Sequence, residues 1–419
     1  MKIVNLRREM QGDRVRVAAT AIWEDCGRPE WEMYFETDAA YAEDLTCDAN
    51  AFLIAGVVPA MYYGERRVAV DGPICPVLRE GLLTNIAWWH HWYDDYRSVT
   101  IEAPIGGCHV PNGRPKRAGL FLSGGVDSLY SLRANRLRVP TDHPASIRDG
   151  ILIDGYDINR NLYGHQPESF QRAVATMRDL SAETGVTLIP VATNLRHLNS
   201  GLWFWTQWYY AAALTAVAHV FSRRLTSVLF ASASDWQAQR GPWASTAATD
   251  HNFSSCDVQI LHDGLWVSRL EKLRVLTDWP SALQNLRVCT ANAPGLLNCG
   301  RCEKCIRTMT ALLALGRLHE ASAFATRDVD AALFDTILMR STFPLEYYQE
   351  CIEPLRRQGR VDLVRAIQHL DSRCRRHQRY LALQNWPETA RRVDARLFGG
   401  RLLRWKRRLA GTPSMAEAV

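Results

Sequence analysis

Short apolar segments alternate with helix-length segments from Ala118 onwards, and this alternation constrains the fold more than any other feature of the sequence. The predicted strands are 118–122, 150–153, 187–191 and 227–231. Parallel strands joined by crossover helices give this pattern, so we expect an α/β protein with a doubly wound parallel sheet. Ligands of such sheets bind at the carboxyl ends of the strands, and chemistry is therefore expected in the residues that follow each strand.

The segments on either side of this alternation have different patterns, which predicts three parts. Residues 1–112 contain strand-like stretches with partial alternation and are expected to form an α+β N-terminal domain of unknown role. A Gly- and Pro-rich stretch at 105–115 is the predicted linker. Residues 113–310 are the predicted doubly wound domain, and residues 311–419 are predicted to be a helical, Arg-rich region.

The composition and the start of the chain narrow the class of protein. Of the 419 residues, 47% are hydrophobic and 22% charged, which permits a large core and excludes global disorder. The formal net charge of +6 is too small to indicate nucleic-acid binding by itself. Because no apolar run follows the first basic residues, we expect a cytoplasmic protein whose 11 cysteines are not a disulfide framework. The uncharged run 202–221 could span a bilayer, but its polar residues and α/β surroundings favour a buried core helix and no membrane partner.

The most informative motif follows the first strand of the alternation. Residues 123–128 read Ser-Gly-Gly-Val-Asp-Ser, and a helix is predicted to begin near Asp127. Two glycines permit a tight turn whose N–H groups, together with the positive end of the helix, form an anion site to which Ser123 and Ser128 add donors. A carboxylate there would repel phosphate unless a cation lay between them, so Asp127 is a candidate Mg²⁺ ligand. The alternative is an ordinary strand–turn–helix in which Asp127 is the N-cap.

The complete motif, Ser-Gly-Gly-x-Asp-Ser after an apolar strand, resembles the loop of the PP-loop, or N-type, ATP pyrophosphatases. The resemblance implies an adenine nucleotide alpha hydrolase-like fold and cleavage of ATP between its α and β phosphates, with transfer of AMP to a substrate oxygen. The residues that would hold ATP and its leaving pyrophosphate are Ser123, Gly124, Gly125, Val126, Asp127 and Ser128. Of these, the candidate catalytic residues are Asp127, Ser123 and Ser128.

A second motif places four cysteines close together in the sequence. Two overlapping Cys-x2-Cys pairs and one thiol upstream could supply four sulfurs to a tetrahedral Zn²⁺. The candidate ligands are Cys289, Cys299, Cys302 and Cys305. A site with four protein ligands has no open position, so its role would be structural. An iron–sulfur cluster and a redox-active thiol pair are the alternatives.

The loop and the four cysteines together resemble the 7-cyano-7-deazaguanine synthase (QueC-like) family over about residues 118–310. Two weaker matches run in the same order: Leu-Ile-Asp-Gly-Tyr at 152–156, which implies a nucleotide-binding role for Asp154, and Ser-Arg-Leu-Glu at 268–271, where the family has Thr-Lys-x-Glu. The segments 233–236 and 246–255 do not show the family's Tyr-Pro-Asp-Cys-Arg. That region would face the substrate, so the resemblance implies the ATP chemistry more strongly than the substrate.

The resemblance implies an ATP-dependent ligase of the adenylating type that activates a carboxylate or amide oxygen and leads to an amide or nitrile. Its expected partners are a small molecule such as a 7-deazapurine, an ammonia or amine donor, and a protein or RNA acceptor, in a defence or natural-product pathway; a homodimer is one expected state. A tRNA-modifying adenylase or thiolase, favoured by the Arg-rich end, and a non-catalytic nucleotide- and zinc-binding scaffold are the alternatives. Asp250 and His251, in a loop expected near the carboxyl ends of the strands, are further candidates for substrate contact.

Overall fold

The computed structural model describes residues 1–93, 97–106, 113–158, 167–233, 243–289, 291, 293, 295–339, 344–384, 390, 393–394 and 396–402. The chain divides into two compact units, Met1–Val329 and Asp330–Val419. The predicted linker and the segment 233–236 lie partly outside the described residues.

A sheet of ten strands organises the described part of the first unit. Its strands are β1 (Lys2–Gln11), β2 (Arg14–Ile22), β3 (Trp31–Asp38), β4 (Arg67–Val70), β5 (Thr100–Glu102), β6 (Ala118–Phe121), β7 (Ile147–Asp154), β8 (Thr187–Thr193), β9 (Ser227–Ala231) and β10 (Gln259–Asp263). Their order is β10-β9-β6-β7-β8-β3-β2-β1-β4-β5. The pairs from β10 to β8, and the pairs that β4 makes, are parallel, whereas β8–β3, β3–β2 and β2–β1 are antiparallel. The expectation of an α/β protein with a mostly parallel sheet is confirmed.

Helices follow most of the parallel strands. In the described part of the first unit they are α1 (Ala49–Tyr63), α2 (Pro76–Trp92), α3 (Val126–Arg138), α4 (Pro167–Thr184), α5 (Leu202–Phe204), α6 (Tyr210–Val220), α7 (Arg269–Thr277), α8 (Pro280–Asn285) and α9 (Glu303–Ala314). In the described part of the second unit they are α10 (Leu345–Gln349), α11 (Ile352–Arg357) and α12 (Val361–Gln384).

Successive side chains of β6 enter different cores on the two faces of the sheet. Phe121 belongs to the large apolar core that also contains Ile151, Val191 and the buried side chains of α1 and α6. Leu120 and Leu122 are fully buried but do not belong to that core. Because both of its faces are covered, the strand is apolar at every position, which is the pattern expected of a central parallel strand.

The apolar run 202–221 forms a largely buried helical segment. It comprises α5, a π-helical turn at Trp205–Tyr209, and α6. The side chains of α6 are buried almost throughout, so the interpretation as a core helix is confirmed. No helix in the described part of the chain combines the length and the apolar character that a membrane crossing needs.

The N-terminal strands join the same sheet as the doubly wound segment. β3 pairs antiparallel with β8, and Phe35 lies opposite Thr193. The hydroxyl groups of Thr37 and Tyr41 donate to the carbonyl oxygens of Pro190 (2.7 Å) and Leu188 (2.9 Å). Residues 1–112 and 113–310 therefore share one sheet; that each also forms a separate domain stays a prediction.

Candidate phosphate loop and metal centre

The predicted phosphate loop lies at the carboxyl end of β6, inside the parallel part of the sheet. The residue after the strand, Leu122, still donates its N–H to the carbonyl oxygen of Ile151 at 2.8 Å. The chain then turns at Gly124, whose φ of +76° lies in the left-handed region, and α3 begins with Gly125 as its N-cap. Asp127 lies inside the first turn of α3, so the expectation that it is the N-cap is wrong. That the turn binds phosphate, rather than being an ordinary strand–turn–helix, stays a prediction.

The two serines of the motif meet across this turn. Ser123 Oγ lies 3.3 Å from Ser128 Oγ and accepts a hydrogen bond of 3.3 Å from the N–H of Gly125. Ser128 donates to the carbonyl oxygen of Gly125 at 3.1 Å. A Cβ atom at Gly124 would lie only 3.0 Å from Met177 Cε, so the turn also leaves little space for a side chain. The hydroxyls and the first N–H groups of α3 are thus gathered at one end of the helix, as an anion site requires.

Asp127 is paired with two cations of α7. Nη1 of Arg269 donates to both carboxylate oxygens, at 3.0 and 2.7 Å, and Nζ of Lys272 lies 3.8 Å from Oδ1. Lys272 is 1% exposed and also donates to the carbonyl oxygen of Ser232 at 2.6 Å. The protein itself therefore supplies positive charge next to this carboxylate. The expected Mg²⁺ role of Asp127 stays a prediction.

Arg287 provides a third cation beside the loop. Its N–H donates to the carbonyl oxygen of Gly124 at 2.8 Å, and its Nε donates to the carbonyl oxygen of Ser123 at 3.3 Å. Burial lowers the pKa of its guanidinium, and the carboxylate of Asp157 acts in the opposite direction. The contacts of Arg269, Lys272 and Arg287 with the loop were not predicted from the sequence, because these residues come from segments more than 140 residues after the loop.

Asp154 is the last residue of β7, the strand next to β6, so it lies at the same edge of the sheet as the loop. It is half-buried. The chain turns immediately after it at Gly155, with a φ of +94°, and a Cβ atom there would lie 2.1 Å from the carbonyl oxygen of Thr193. Asp154 and the loop therefore follow neighbouring parallel strands. A role of Asp154 in binding a nucleotide stays a prediction.

The four predicted cysteines come together in space. One ligand atom from each of Cys289, Cys299, Cys302 and Cys305 lies within 4.8 Å of the others. The Sγ–Sγ distances are 3.9 Å for 299–305, 3.9 Å for 289–302 and 3.4 Å for 302–305. Four sulfurs at 2.3 Å from a tetrahedral Zn²⁺ would be roughly 3.8 Å apart. The cluster therefore has a spacing that could hold a metal such as zinc.

Local hydrogen bonds contribute to the positions of the four cysteines. The N–H groups of Arg301 and Cys302 point to Sγ of Cys299, at 3.5 and 3.3 Å, and the turn between them uses Gly300 at φ +67°. Asn298 is buried, and its Oδ1 accepts from the N–H of Cys289 at 3.2 Å. The side chain of Asn298 thus connects the first ligand to the other three.

The crowded thiols shift one another's pKa values. The hydrogen bonds from Cys302 and Cys305 lower the pKa of the Cys289 thiol. The same contacts with Cys289 raise the pKa of Cys302 to about 11 and raise that of Cys305 strongly. Because a metal binds thiolates rather than thiols, metal binding to this cluster should release protons and strengthen with rising pH.

A further polar cluster lies at the carboxyl edge of β9 and β10. Asp250 is fully buried, and its Oδ2 lies 2.7 Å from Nδ1 of His262. His251, expected to accompany Asp250, is exposed, and its Nδ1 lies 3.2 Å from the carbonyl oxygen of Ala247. Asp250 thus contacts His262 on β10 rather than acting together with His251. The sequence pattern did not single out His262.

Comparison with known proteins identifies no relative of this chain. No family model, no curated protein and no solved structure matches the chain. The assignment of chemistry therefore depends on the arrangement of the residues themselves.

Proposed function

We propose that the chain is an ATP-dependent adenylating enzyme of the ATP pyrophosphatase type. The observation that carries the proposal is the convergence of the glycine turn, the N-terminus of α3 and three cations at the carboxyl end of a parallel strand. Backbone donors at a helix N-terminus bind phosphate oxygens, and buried cations offset the charge that develops on a departing pyrophosphate. The absence of a Gly-Lys-Ser/Thr ending distinguishes the loop from that of kinase-type P-loop proteins.

In this proposal the loop residues bind the β and γ phosphates of ATP, and a substrate oxygen attacks the α-phosphorus. Ser123, Ser128 and the N–H groups of 124–126 donate to the pyrophosphate that leaves. Asp127 would hold Mg²⁺, which supplies charge neutralisation and orientation of the phosphates when bound. Arg269, now paired with Asp127, would be left to contact phosphate oxygens directly.

The metal centre has a structural role in this proposal. The residues present fit Zn²⁺, because four cysteine sulfurs lie within 4.8 Å of one another. Four thiolate ligands would leave no open position on the metal for catalysis, so its role would be structural. Arg287, which contacts the loop, lies two residues before the ligand Cys289. A metal held by the cluster would thereby fix the segment that carries this cation against the loop.

The acid to be activated is proposed to be a 7-deazapurine carboxylate or amide, joined to ammonia or an amine. The supporting argument is the order of the motifs, loop first and four cysteines later. A protein or RNA acceptor, a homodimer and a role in a defence or natural-product pathway belong to the same proposal.

Product analysis tests the proposed function. The full-length protein is incubated with ATP, Mg²⁺ and 7-carboxy-7-deazaguanine, with and without ammonia. AMP and pyrophosphate in equal amounts, dependent on the acid, support the proposal. ADP as the nucleotide product, or no acid-dependent turnover, overturns it.

A further inference from the structure

Two cysteines outside the metal centre come into contact near the start of β10, away from the edge of the sheet that carries the phosphate loop. The N–H of Cys256 donates to Sγ of Cys75 at 3.3 Å, although the two residues are 181 positions apart in the sequence. Cys75 is the N-cap of α2 and is fully buried, whereas Cys256 is exposed in the segment that leads into β10. The pair therefore combines a thiol that solutes can reach with one that is shielded from them.

The hydrogen bond brings the two residues within the range of a disulfide. The Cα atom of Cys256 is about 1.5 Å from its own nitrogen, so it lies within about 5 Å of Sγ of Cys75. In a disulfide, Sγ of one cysteine lies about 4 Å from Cα of the other, because the S–S bond is about 2.05 Å long. Rotation of the exposed Cys256 side chain about its Cα–Cβ bond can therefore bring the two sulfurs together without a large movement of the backbone.

Buried polar groups hold the backbone on both sides of this contact. The N–H of Cys75 donates to Oδ1 of Asn50, a buried residue of α1, at 2.8 Å. On the other side, Oγ of Ser255 accepts from the N–H of Val258 at 3.1 Å, which closes a turn around Cys256. Both cysteines thus belong to segments whose course is fixed by interactions other than the contact between them.

The helix α2 also packs closely against the segment that precedes Cys256. A Cβ atom at Gly81 would lie only 2.0 Å from the carbonyl oxygen of Asn252, and Nδ2 of Asn252 donates to Oδ1 of Asn85 at 2.9 Å. A disulfide between Cys75 and Cys256 would therefore join elements that already touch. Such a bond needs little distortion of the folded chain, which favours its formation.

We propose that Cys256 is a site of oxidation by peroxides and that Cys75 is its resolving thiol, so that oxidation joins the two residues in an intramolecular disulfide. Oxidants in solution attack accessible thiols, and a neighbouring thiol converts the resulting sulfenic acid into a disulfide. The proposal involves neither the phosphate loop nor the metal centre, so it is independent of the proposed function.

The reaction takes two steps when hydrogen peroxide is the oxidant. The sulfur of Cys256 attacks one peroxide oxygen, the O–O bond breaks, and Cys256 becomes a sulfenic acid while one water is released. The sulfur of Cys75 then attacks the sulfenic sulfur, the S–S bond forms as the S–O bond breaks, and a second water leaves. The two thiols lose two electrons and two protons in total, and the peroxide accepts them.

Peptide mapping of the full-length protein tests the proposal. The reduced protein is treated with a small molar excess of hydrogen peroxide, the remaining thiols are blocked, and the chain is cleaved with trypsin. Cleavage yields the peptides 68–79 and 241–269, each of which contains a single cysteine. Mass spectrometry should find these two peptides joined to each other as the main cross-linked product, and dithiothreitol should separate them.

Three variants identify the role of each thiol. Cys256→Ser should abolish the cross-link and leave Cys75 reduced, because the oxidant does not reach the buried thiol. Cys75→Ser should leave a sulfenic acid on Cys256, which dimedone labels; if this buried variant does not fold, the exposed Cys256→Ser variant carries the comparison. Cys47→Ser is the matched control and should not change the yield, because burial raises the pKa of the Cys47 thiol to about 11.

The disulfide should also stabilise the folded chain. A bond between residues 181 positions apart closes a long loop, which restricts the unfolded chain. After the same peroxide treatment, the midpoint of thermal unfolding should be about 5 °C or more higher in the wild type than in Cys256→Ser. Scanning calorimetry measures this difference, and dithiothreitol should remove it.

Three results would overturn the proposal: Cys256 oxidised to a sulfinic acid while Cys75 is recovered as a blocked thiol, a disulfide from Cys256 mainly to some other cysteine, or both residues still reduced after treatment. None of these results bears on adenylation, because no nucleotide takes part in the reaction. Product analysis with ATP tests that function separately.

Discussion

The cations beside the phosphate loop are fewer than the arginines of the second unit but more deeply buried. At the loop, Arg269 is 9% exposed and Lys272 is 1% exposed, and both lie near the single carboxylate of Asp127. In the second unit, Arg357 and Arg375 are 77% and 54% exposed, and each pairs with a carboxylate four residues earlier on its helix. The Arg-rich end dominates the charge pattern of the sequence, but its described ion pairs lie at the surface.

This difference decides where an anion should be recognised. Exposed ion pairs at helical spacing contribute about 0.3–0.5 kcal/mol and are screened by salt. Buried charges keep more of their field, because little water surrounds them. A short arginine-poor loop can therefore bind phosphate more strongly than a long arginine-rich helix.

The largest expected effect comes from Asp127→Asn. If Asp127 holds Mg²⁺, acid-dependent formation of AMP and pyrophosphate should fall by roughly 100-fold or more. In the absence of Mg²⁺, however, pyrophosphate should bind the variant more tightly, because Arg269 and Lys272 lose their negative partner. Turnover and isothermal titration with pyrophosphate measure the two effects.

Asp142→Asn, in an exposed turn after α3, is the matched control and should change neither quantity. Unchanged turnover in Asp127→Asn would mean that the loop has been assigned wrongly.

The next effect tests the metal centre. Cys302→Ser removes one of four thiols, so the purified protein should lose most of its bound zinc, and the free energy of unfolding should fall markedly. Pyrophosphate binding should also weaken, because Arg287 would no longer be fixed against Gly124. Elemental analysis and calorimetry provide the measurements.

The exposed Cys256 supplies the control, since Cys256→Ser should keep its zinc. Iron and sulfide in the wild-type protein, rather than zinc, would contradict the assignment of the metal.

The comparison of the two regions can be tested directly with one substitution in each. A hydrogen bond to a charged group contributes about 1.5–3 kcal/mol, so Arg269→Gln should weaken Mg²⁺–pyrophosphate binding by about tenfold or more. Arg375→Gln should leave it unchanged, because Arg375 pairs with Asp371 at 2.8 Å on an exposed helix surface. Equal effects of the two substitutions would remove the distinction between the regions.

Local motifs explain what could be predicted of the fold and the site. The strand 227–231 agrees with β9, and the loop and four cysteines could be recognised because their residues are close in sequence. The pairing of β3 with β8 joins segments more than 150 residues apart, and no local pattern specifies which edge an antiparallel strand will cover.

The missed residues share the same physical reason. Arg269 belongs to the Ser-Arg-Leu-Glu match at 268–271, but its contact with Asp127 depends on how α7 packs against α3. Asp250 was noticed beside His251, whereas successive residues of a chain do not face each other in extended or helical segments. Its partner, His262, is brought to it by the parallel pairing of β10 with β9.

A smaller effect is expected from the glycine turn. Gly124→Ala places a side chain at φ +76° and 3.0 Å from Met177 Cε, whereas Gly316→Ala has a similar φ of +71° and nothing within 4 Å. Both variants should lose about 1–2 kcal/mol of stability through the left-handed backbone. Only Gly124→Ala should also weaken pyrophosphate binding. Thermal melts measure the loss of stability, and titration calorimetry measures the loss of binding. An equal loss of binding in Gly316→Ala would show that the effect is global.

The smallest effect concerns the Arg-rich surface and the tRNA-modifying alternative. Arg356, Arg357 and Arg375 already pair with Glu353 or Asp371, so replacing all three by Gln should change the affinity for a single-stranded RNA by only a few-fold. If these arginines instead contacted RNA phosphates, the slope of log affinity against log salt would fall by roughly 0.7 for each one lost. Fluorescence anisotropy across a salt series measures that slope. A decrease of about 2 in that slope would mean that these ion pairs open to bind RNA. The exposed arginines of the second unit, rather than the buried cations beside the loop, would then be the main surface that binds polyanions.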